Sequence, residues 1–433
     1  MVEQTPTSQQ LLDAVRRGDR ATLVDSPPGA GKSTLVRQVA AVVAEHHPLP
    51  IVVQTNAQAD DHLRGFLRDG VPLVIGRLHA TDYRKPADLD GHPNLLFSGK
   101  IADLHKCDII VGPAAKWATI HGFNTELAII DEAYQMRSSE LVPVGQLVQR
   151  LVLVGDPGQL APFTEADEAL FRNHPLPPIE NAAETLKKTQ EHITQLRLPT
   201  SRRLDGRAAG LVSDAFYDVP FTAHVPEGVR RIRLNARPMP TRAGRAVEYA
   251  ADAGWAFVQL PARATSELDE ELVAAVAETV GVLLSTRPVL VDEFTERPLD
   301  PADIAVGVSH HSQSYAVTDA LRRISTQLGI DLNAVTVDTA NRIQGREYAV
   351  VVAIHPMSGR RESTPFHVDA GRLCVLLSRH RQMCIVLGRA GIEDQLNAQL
   401  APGPVWLSSE LPAVDPLDAQ STALEHLLRH VIS

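Results

Sequence analysis

Residues 23 to 36 read Leu23-Val24-Asp25-Ser26-Pro27-Pro28-Gly29-Ala30-Gly31-Lys32-Ser33-Thr34-Leu35-Val36. No other stretch restricts the fold so tightly. An apolar run must end as a buried strand, a glycine turn must follow it, and a helix must begin near Lys32, which together make a phosphate-binding loop. In such a loop the main-chain N–H groups around Gly29, Ala30 and Gly31 close on a β-phosphate. Lys32 reaches the β- and γ-oxygens, Ser33 ligates Mg2+, and Thr34 continues the first helical turn. The usual pattern has a glycine six residues before the lysine; here that position is Ser26.

The chain has 433 residues, 44% of them hydrophobic, which is enough for two globular domains of ordinary size. No unbroken apolar run is long enough to span a bilayer, and the N-terminus lacks a basic region followed by an apolar one. A cytoplasmic protein without membrane association is expected. Cys107, Cys374 and Cys384 stand in apolar, strand-like surroundings without the paired spacing of a zinc or iron–sulfur site, so they read as core residues. The formal charge of −10 argues against coating a polyanion by global attraction; a nucleic acid would need a local groove. Only seven of the 42 basic residues are lysine. Arginine forks suit phosphate, and codon bias gives the same excess. Aromatics at 4% leave little for extensive base stacking.

Ahead of the loop, the apolar spacing of Leu11, Leu12 and Val15 predicts a short helix capped by Thr7 or Ser8. Gln9 or Gln10 could read an adenine edge with its amide. After it, Ile51 to Thr55 reads as a strand, and Thr55 and Asn56 open a helix at a carboxyl strand end, where open α/β sheets place ligands. An ordinary helix cap is the plainer reading there. Residues 70 to 106, rich in charge, Gly and Pro, look like a short insertion. Asp108 to Ala114 is a further strand and turn containing Pro113. Leu127-Ala128-Ile129-Ile130-Asp131-Glu132 delivers two carboxylates to a strand end. Asp131 suits water-mediated Mg2+ binding, and Glu132 suits deprotonation of an attacking water. Leu151 to Pro162 is another strand and a tight turn in which Gln159 could sense a γ-phosphate.

Gly29-Ala30-Gly31-Lys32-Ser33, Asp131-Glu132-Ala133-Tyr134-Gln135 and Gly155-Asp156-Pro157-Gly158-Gln159-Leu160-Ala161-Pro162 resemble motifs I, II and III of superfamily 1 helicases, nearest the branch of the RNA-decay helicase. The resemblance covers roughly residues 5 to 390, and later motifs follow in the family's order. Leu198 to Leu204 resembles motif IV, with Arg203 matching an arginine that touches the γ-phosphate. Arg202 stands where relatives carry a tyrosine stacked on adenine. Ser309-His310-His311-Ser312-Gln313 is similar to motif IVa, with His310 in an aromatic position and Gln313 matching a glutamine. Val335 to Glu347 looks like motif V: Thr339 would meet a backbone phosphate and Glu347 the nucleotide pocket, while Asn341 replaces a commoner aspartate. Gly371 to Arg381 resembles motif VI, with Arg379 as a second arginine finger and Arg372 and Arg381 as structural or groove-lining residues.

The resemblance implies an α/β chain of two RecA-like P-loop NTPase domains, mostly parallel sheets flanked by helices. The first is expected over residues 1–165 and the second over 190–400, with a linker and terminal helix over 401–433. ATP and Mg2+ are the implied cofactors. A single nucleic-acid strand, DNA ahead of RNA, is the implied track, met by Thr55, Asn56, Pro113, His310, Gln313 and Thr339, with 5′-to-3′ polarity by analogy. A monomeric helicase or translocase is expected. The alternative is an ATP-gated binding or assembly switch that answers to a protein partner and does not unwind. A P-loop kinase would leave the two arginine fingers unexplained.

Overall fold

Asp25, Val53, Pro113, Asp131 and Gly155 end strands that all run in one direction, so one edge of one sheet collects them. The strands are β1 (Ala21–Asp25), β2 (Leu49–Val53), β3 (Ile75–Leu78), β4 (Leu95–Ser98), β5 (Ile109–Pro113), β6 (Thr125–Asp131), β7 (Val148–Gly155) and β8 (Thr194–Arg197). Their order is β4-β3-β5-β2-β6-β7-β1-β8, every pairing parallel. The structure, a computed structural model, describes residues 6–44, 48–162, 171, 174, 176–190, 192–265, 268–398 and 414–432. It divides into two units: Met1–Pro157 with Ala161–Pro199, and Gly158–Leu160 with Thr200–Ser433. Most of the linker expected between 402 and 416 lies outside the described residues.

A parallel sheet needs cover on both faces, and its strands read as continuous apolar runs for that reason. Every residue of β1 and β2 is buried. Alternation within the strands sends Ile51, Val53, Ile109, Val111 and Ile129 to one face. There they meet α1 (Pro6–Arg17), α2 (Lys32–Val43) and α3 (Asn56–Asp69) through Leu11, Val36, Val39, Leu63 and Phe66. Val52, Ile110, Ile130 and Leu153 take the other face, against Trp117, Leu141 and Val144.

Three details differ from the sequence expectation. Thr7 and Ser8 lie inside the first turn of α1, buried, instead of capping it; Thr7 Oγ1 donates to Arg197 O at 3.2 Å and ties the helix to the end of β8. The stretch from 70 to 106 supplies β3 and β4 and so builds one edge of the sheet. Strands of four residues are too short to leave a periodic signal. That edge is held by Arg77, fully buried, whose Nε donates to Asp60 Oδ1 at 2.9 Å and whose Nη2 donates to Asn56 Oδ1 at 2.8 Å. Lastly, a short strand over Val431–Ile432 follows the C-terminal helix and joins a sheet.

The second unit adds β9 (Thr200–Asp205), β10 (Thr222–Val225), β11 (Arg231–Arg233), β12 (Trp255–Leu260), β13 (Val289–Val291), β14 (Glu296–Pro298), β15 (Ile304–Val308), β16 (Thr336–Thr339), β17 (Tyr348–Ile354), β18 (His380–Arg389) and β19 (Val431–Ile432). Six of them form a second all-parallel sheet, β16-β15-β17-β18-β12-β19. Val350, Val352 and Ile354 of β17 face the helices Arg242–Ala253, Glu270–Ser285 and His311–Leu328. Val351 and Ala353 face the helices Gly206–Phe216, Ala370–Leu377 and Pro416–Leu428. The terminal helix thus packs back on its own unit, with Ala423, Leu424 and Leu427 in the core. The three cysteines are buried. Among the described residues no helix is long and apolar enough to cross a membrane.

Replacing Arg77 with leucine would strand the Asp60 carboxylate, so R77L is expected to lose about 3–5 kcal/mol of stability, read from the urea midpoint. A second expectation concerns pH. Burial holds the imidazoles of His355 and His380 down to about 4 and about 3, from an ordinary 6.5, with Arg203 adding to the effect at His380. The unfolded chain takes up protons there before the folded chain does. Stability of the second unit should therefore fall as pH drops below about 6.5 and keep falling toward 4. Urea midpoints that stay level between about pH 7.5 and pH 5 would contradict neutral buried rings.

Candidate active site

The loop after β1 begins with Ser26 N–H donating to Gly155 O at 2.8 Å, which stitches it to the end of β7. Gly29 and Gly31 then adopt φ of 70° and 90°, values that only glycine takes without strain. Gly31 is the residue before α2, and open space lies where its side chain would be. Lys32, Ser33 and Thr34 form the first turn of α2, with Ser33 and Thr34 exposed. A helix start with two exposed hydroxyls and an ammonium is a chemical fit for a phosphate chain and its Mg2+.

Strand order brings the carboxylates to this turn. β7 lies between β1 and β6, and the register pairs Asp25 with Gly155 and Asp131 with Val154, so all three strands stop level. Lys32 Nζ forms an ion pair with Glu132 and stands 4.0 Å from Asp131 Oδ1. Burial works to lower the Lys32 pKa, but Glu132 and Asp131 outweigh it and raise the value. Burial likewise works to raise Asp131, and Lys32 and His62 override it, so its pKa is lowered. The pair stays charged. Glu132 has φ 59°, left-handed backbone that a non-glycine residue rarely adopts. Its N–H donates to Asp131 Oδ1 at 2.9 Å. Two residues on, Tyr134 Oη donates to Asp25 Oδ1 at 2.6 Å, bracing the carboxylate turn against the base of the loop. Burial raises the Asp25 pKa despite that bond.

His62 was not indicated by the sequence. It lies on α3, 2% exposed, with Nε2 2.8 Å from Asp131 Oδ2. Gln9 and Gln10 are exposed on α1, and Gln9 Nε2 donates to Asp13 at 2.9 Å. Thr55 caps α3: its Oγ1 accepts from Gln58 N at 3.2 Å, which leaves its O–H as a donor. Asn56 is held by Arg77, and Pro113 ends β5.

In the second unit Arg203, Arg379 and Glu347 come together. Arg203 Nη2 meets Glu347 Oε1 at 2.9 Å and its Nη1 donates to Ser378 O at 3.3 Å. Arg379 Nη2 donates to Ser378 Oγ at 2.8 Å. Both guanidinium groups are buried. Burial pushes Glu347 up, but Arg203, Arg381 and Arg379 prevail and its pKa is lowered. Arg202, next to this cluster in sequence, is exposed. Gln159 belongs to the same unit, its main chain packed so closely on Gly371 that a Cβ there would stand 2.8 Å from Gln159 O.

The remaining expected residues lie along the ends of β15 and β16. His310 stacks on Phe366 with centroids 4.9 Å apart, and the Arg372 guanidinium lies over the same ring at 3.7 Å. Arg372 Nη1 also donates to Asn341 Oδ1 at 3.0 Å, which gives the unusual asparagine a partner. Phe366 thus joins two motifs, and nothing in its local sequence signals it. Gln313 is buried, with Oε1 accepting from Ser309 N and His310 N at 3.1 Å, so its oxygen caps a helix. Thr339 is 4% exposed at the end of β16.

Two AAA domain family models match the chain, one over residues 3–172 and the other over residues 184–391. It is similar to a Regulator of nonsense transcripts 1 homolog from Neurospora crassa, 24% identical over 263 residues, covering 60% of this chain and 22% of that protein. The chain therefore matches under a quarter of that relative's length. Among solved structures it is similar to arterivirus nonstructural protein 10 (helicase), with 14% identity, a TM-score of 0.45, and coverage of 86% of this chain and 61% of the other. A structure titled PRRSV helicase gives 14% identity, a TM-score of 0.44, and coverage of 89% and 56%. With the motif series in order on two parallel sheets, and a P-loop domain model matched to each half, the chain belongs to the superfamily 1 helicases.

Proposed function

We propose that the protein is an ATP-driven translocase or helicase on single-stranded nucleic acid, DNA ahead of RNA, moving 5′ to 3′. The observation that carries the ATPase part is the buried Lys32–Glu132–Asp131 cluster on a glycine-built loop. In this reading the N–H groups of Gly29, Ala30 and Gly31 and the Lys32 ammonium bind the phosphates, Ser33 and Thr34 close the turn, and Ser33 and Asp131 hold Mg2+, the latter through water. When bound, Mg2+ would neutralise charge on the phosphate chain. Glu132 takes a proton from the attacking water, Gln159 senses the γ-phosphate, and Arg203 and Arg379 meet its developing charge. Arg202, Glu347 and Gln9 or Gln10 contact the rest of the nucleotide. Thr55, Asn56, Pro113, His310, Gln313 and Thr339 line the track. The direction rests on likeness to the branch named above, the hydrolysis assay below decides between DNA and RNA, and a protein partner takes the track's place if hydrolysis ignores nucleic acid.

Steady-state ATP hydrolysis with and without single-stranded DNA and RNA oligonucleotides tests the reading. Strong stimulation by DNA, and less by RNA, is the expected result; equal rates throughout would replace the motor with the partner-gated switch. Three variants assign the roles. K32A should abolish turnover. E132Q should keep nucleotide binding and lose about 100-fold or more in kcat, so surviving turnover would remove Glu132 as the base. R379A should slow hydrolysis about 1000-fold with nucleotide affinity nearly unchanged; a large affinity loss would make it a binding residue.

A further inference from the structure

Asp131 is a buried carboxylate whose two oxygens are used differently. Oδ1 accepts the Glu132 N–H at 2.9 Å and faces Lys32 at 4.0 Å. Among the described residues, Oδ2 meets the His62 ring alone, at 2.8 Å. The topology makes this contact. β2 is paired with β6, Val52 opposite Ile130, and α3 leaves β2 directly, so its second turn passes beside the end of β6 where Asp131 stands. Of the buried residues of α3 around it, Ala59, Leu63 and Phe66 are apolar and pack into the core, and Asp60 has its own partner in Arg77. A leucine at position 62 would fill that space equally well, yet it could not donate to a carboxylate. An ionised carboxylate only accepts, so Nε2 carries the proton. Nδ1 is buried and has no hydrogen-bond partner among the described residues. The ring therefore leaves one nitrogen bare while the other is committed to Asp131, an arrangement that packing alone does not call for.

We infer that His62 is a positioning residue for Asp131: its Nε2–H fixes the rotation of the carboxylate, keeping Oδ1 with Lys32 and the Glu132 N–H and so preparing the group for a hydrated divalent cation beside Ser33. This rests on the reading of Asp131 as a Mg2+-holding residue. Groups that orient metal-binding side chains commonly set metal affinity or activity by about 10–100-fold. The same contact gives α3 a direct hold on the Asp131 carboxylate, because Thr55 caps the first turn of the helix and His62 lies on its second.

The test uses the full chain and three variants. H62L keeps the volume and removes the donor; H62Q keeps an N–H near the Nε2 position; H62N draws it back by one methylene. Binding of a fluorescent ADP analogue is measured with Mg2+ and with EDTA, alongside the Mg2+ concentration for half-maximal hydrolysis. H62L and H62N should bind the analogue as the parent does in EDTA, yet lose about tenfold of the tightening that Mg2+ confers. Their half-saturating Mg2+ should rise by a similar factor, with H62Q close to the parent in both. If thermal melts show that H62L does not fold, the comparison of H62Q with H62N decides. Identical Mg2+ responses in the parent and every folded variant would overturn the inference and make His62 a packing residue. Failure of the parent itself to bind nucleotide or hydrolyse ATP would instead overturn the proposed function, an outcome visible before any variant is compared.

Discussion

A lysine ammonium cannot sit in a protein interior without countercharge, and the first unit is built around meeting that need. Lys32 is held by Glu132 and Asp131, and their attraction more than offsets its burial. The carboxylates reach it only because β6, β7 and β1 are neighbours, parallel, and end at the same level. Everything upstream serves this alignment: apolar runs buried on both faces, α2 and α3 returning along one side, and a glycine turn tight enough to start α2 at the lysine. Glu132 shows what the alignment demands, since a non-glycine residue holds a left-handed conformation there.

The second unit solves the opposite problem. Arg203 and Arg379 are both buried close to Ser378, and two guanidinium groups so placed repel each other. Glu347 supplies the compensating charge, its carboxyl held below its ordinary range by the surrounding arginines. The first unit thus holds a cation between anions, and the second holds an anion among cations.

What the sequence makes legible is what local pattern records. β1, β6, β7, β15 and β17 are apolar runs bounded by turn residues, and the phosphate loop is a fixed string, so each can be read in place. The four-residue strands β3 and β4 carry too little pattern to separate from a loop. His62 and Phe366 are invisible for a different reason. Their importance lies in partners brought to them by strand order and by a helix start, and neither partner is near in sequence. The caps tell a related story. Thr55 and Gln313 stand where ligand contacts were expected, and each already has a helix terminus to satisfy. Sequence identifies such a side chain as polar and well placed, but not how many of its hydrogen bonds are already in use.

Gly158, Gln159 and Leu160 follow the last residues of β7's turn yet count with the second unit, where Leu160 is 3% exposed in the core. The chain accordingly changes allegiance three times, at 157/158, 160/161 and 199/200. The two halves are therefore interleaved rather than strung in tandem. No single cut would release both intact: a break at 199/200 leaves the second half without its tripeptide, and a cut at 157/158 robs the first of the strand that flanks β1.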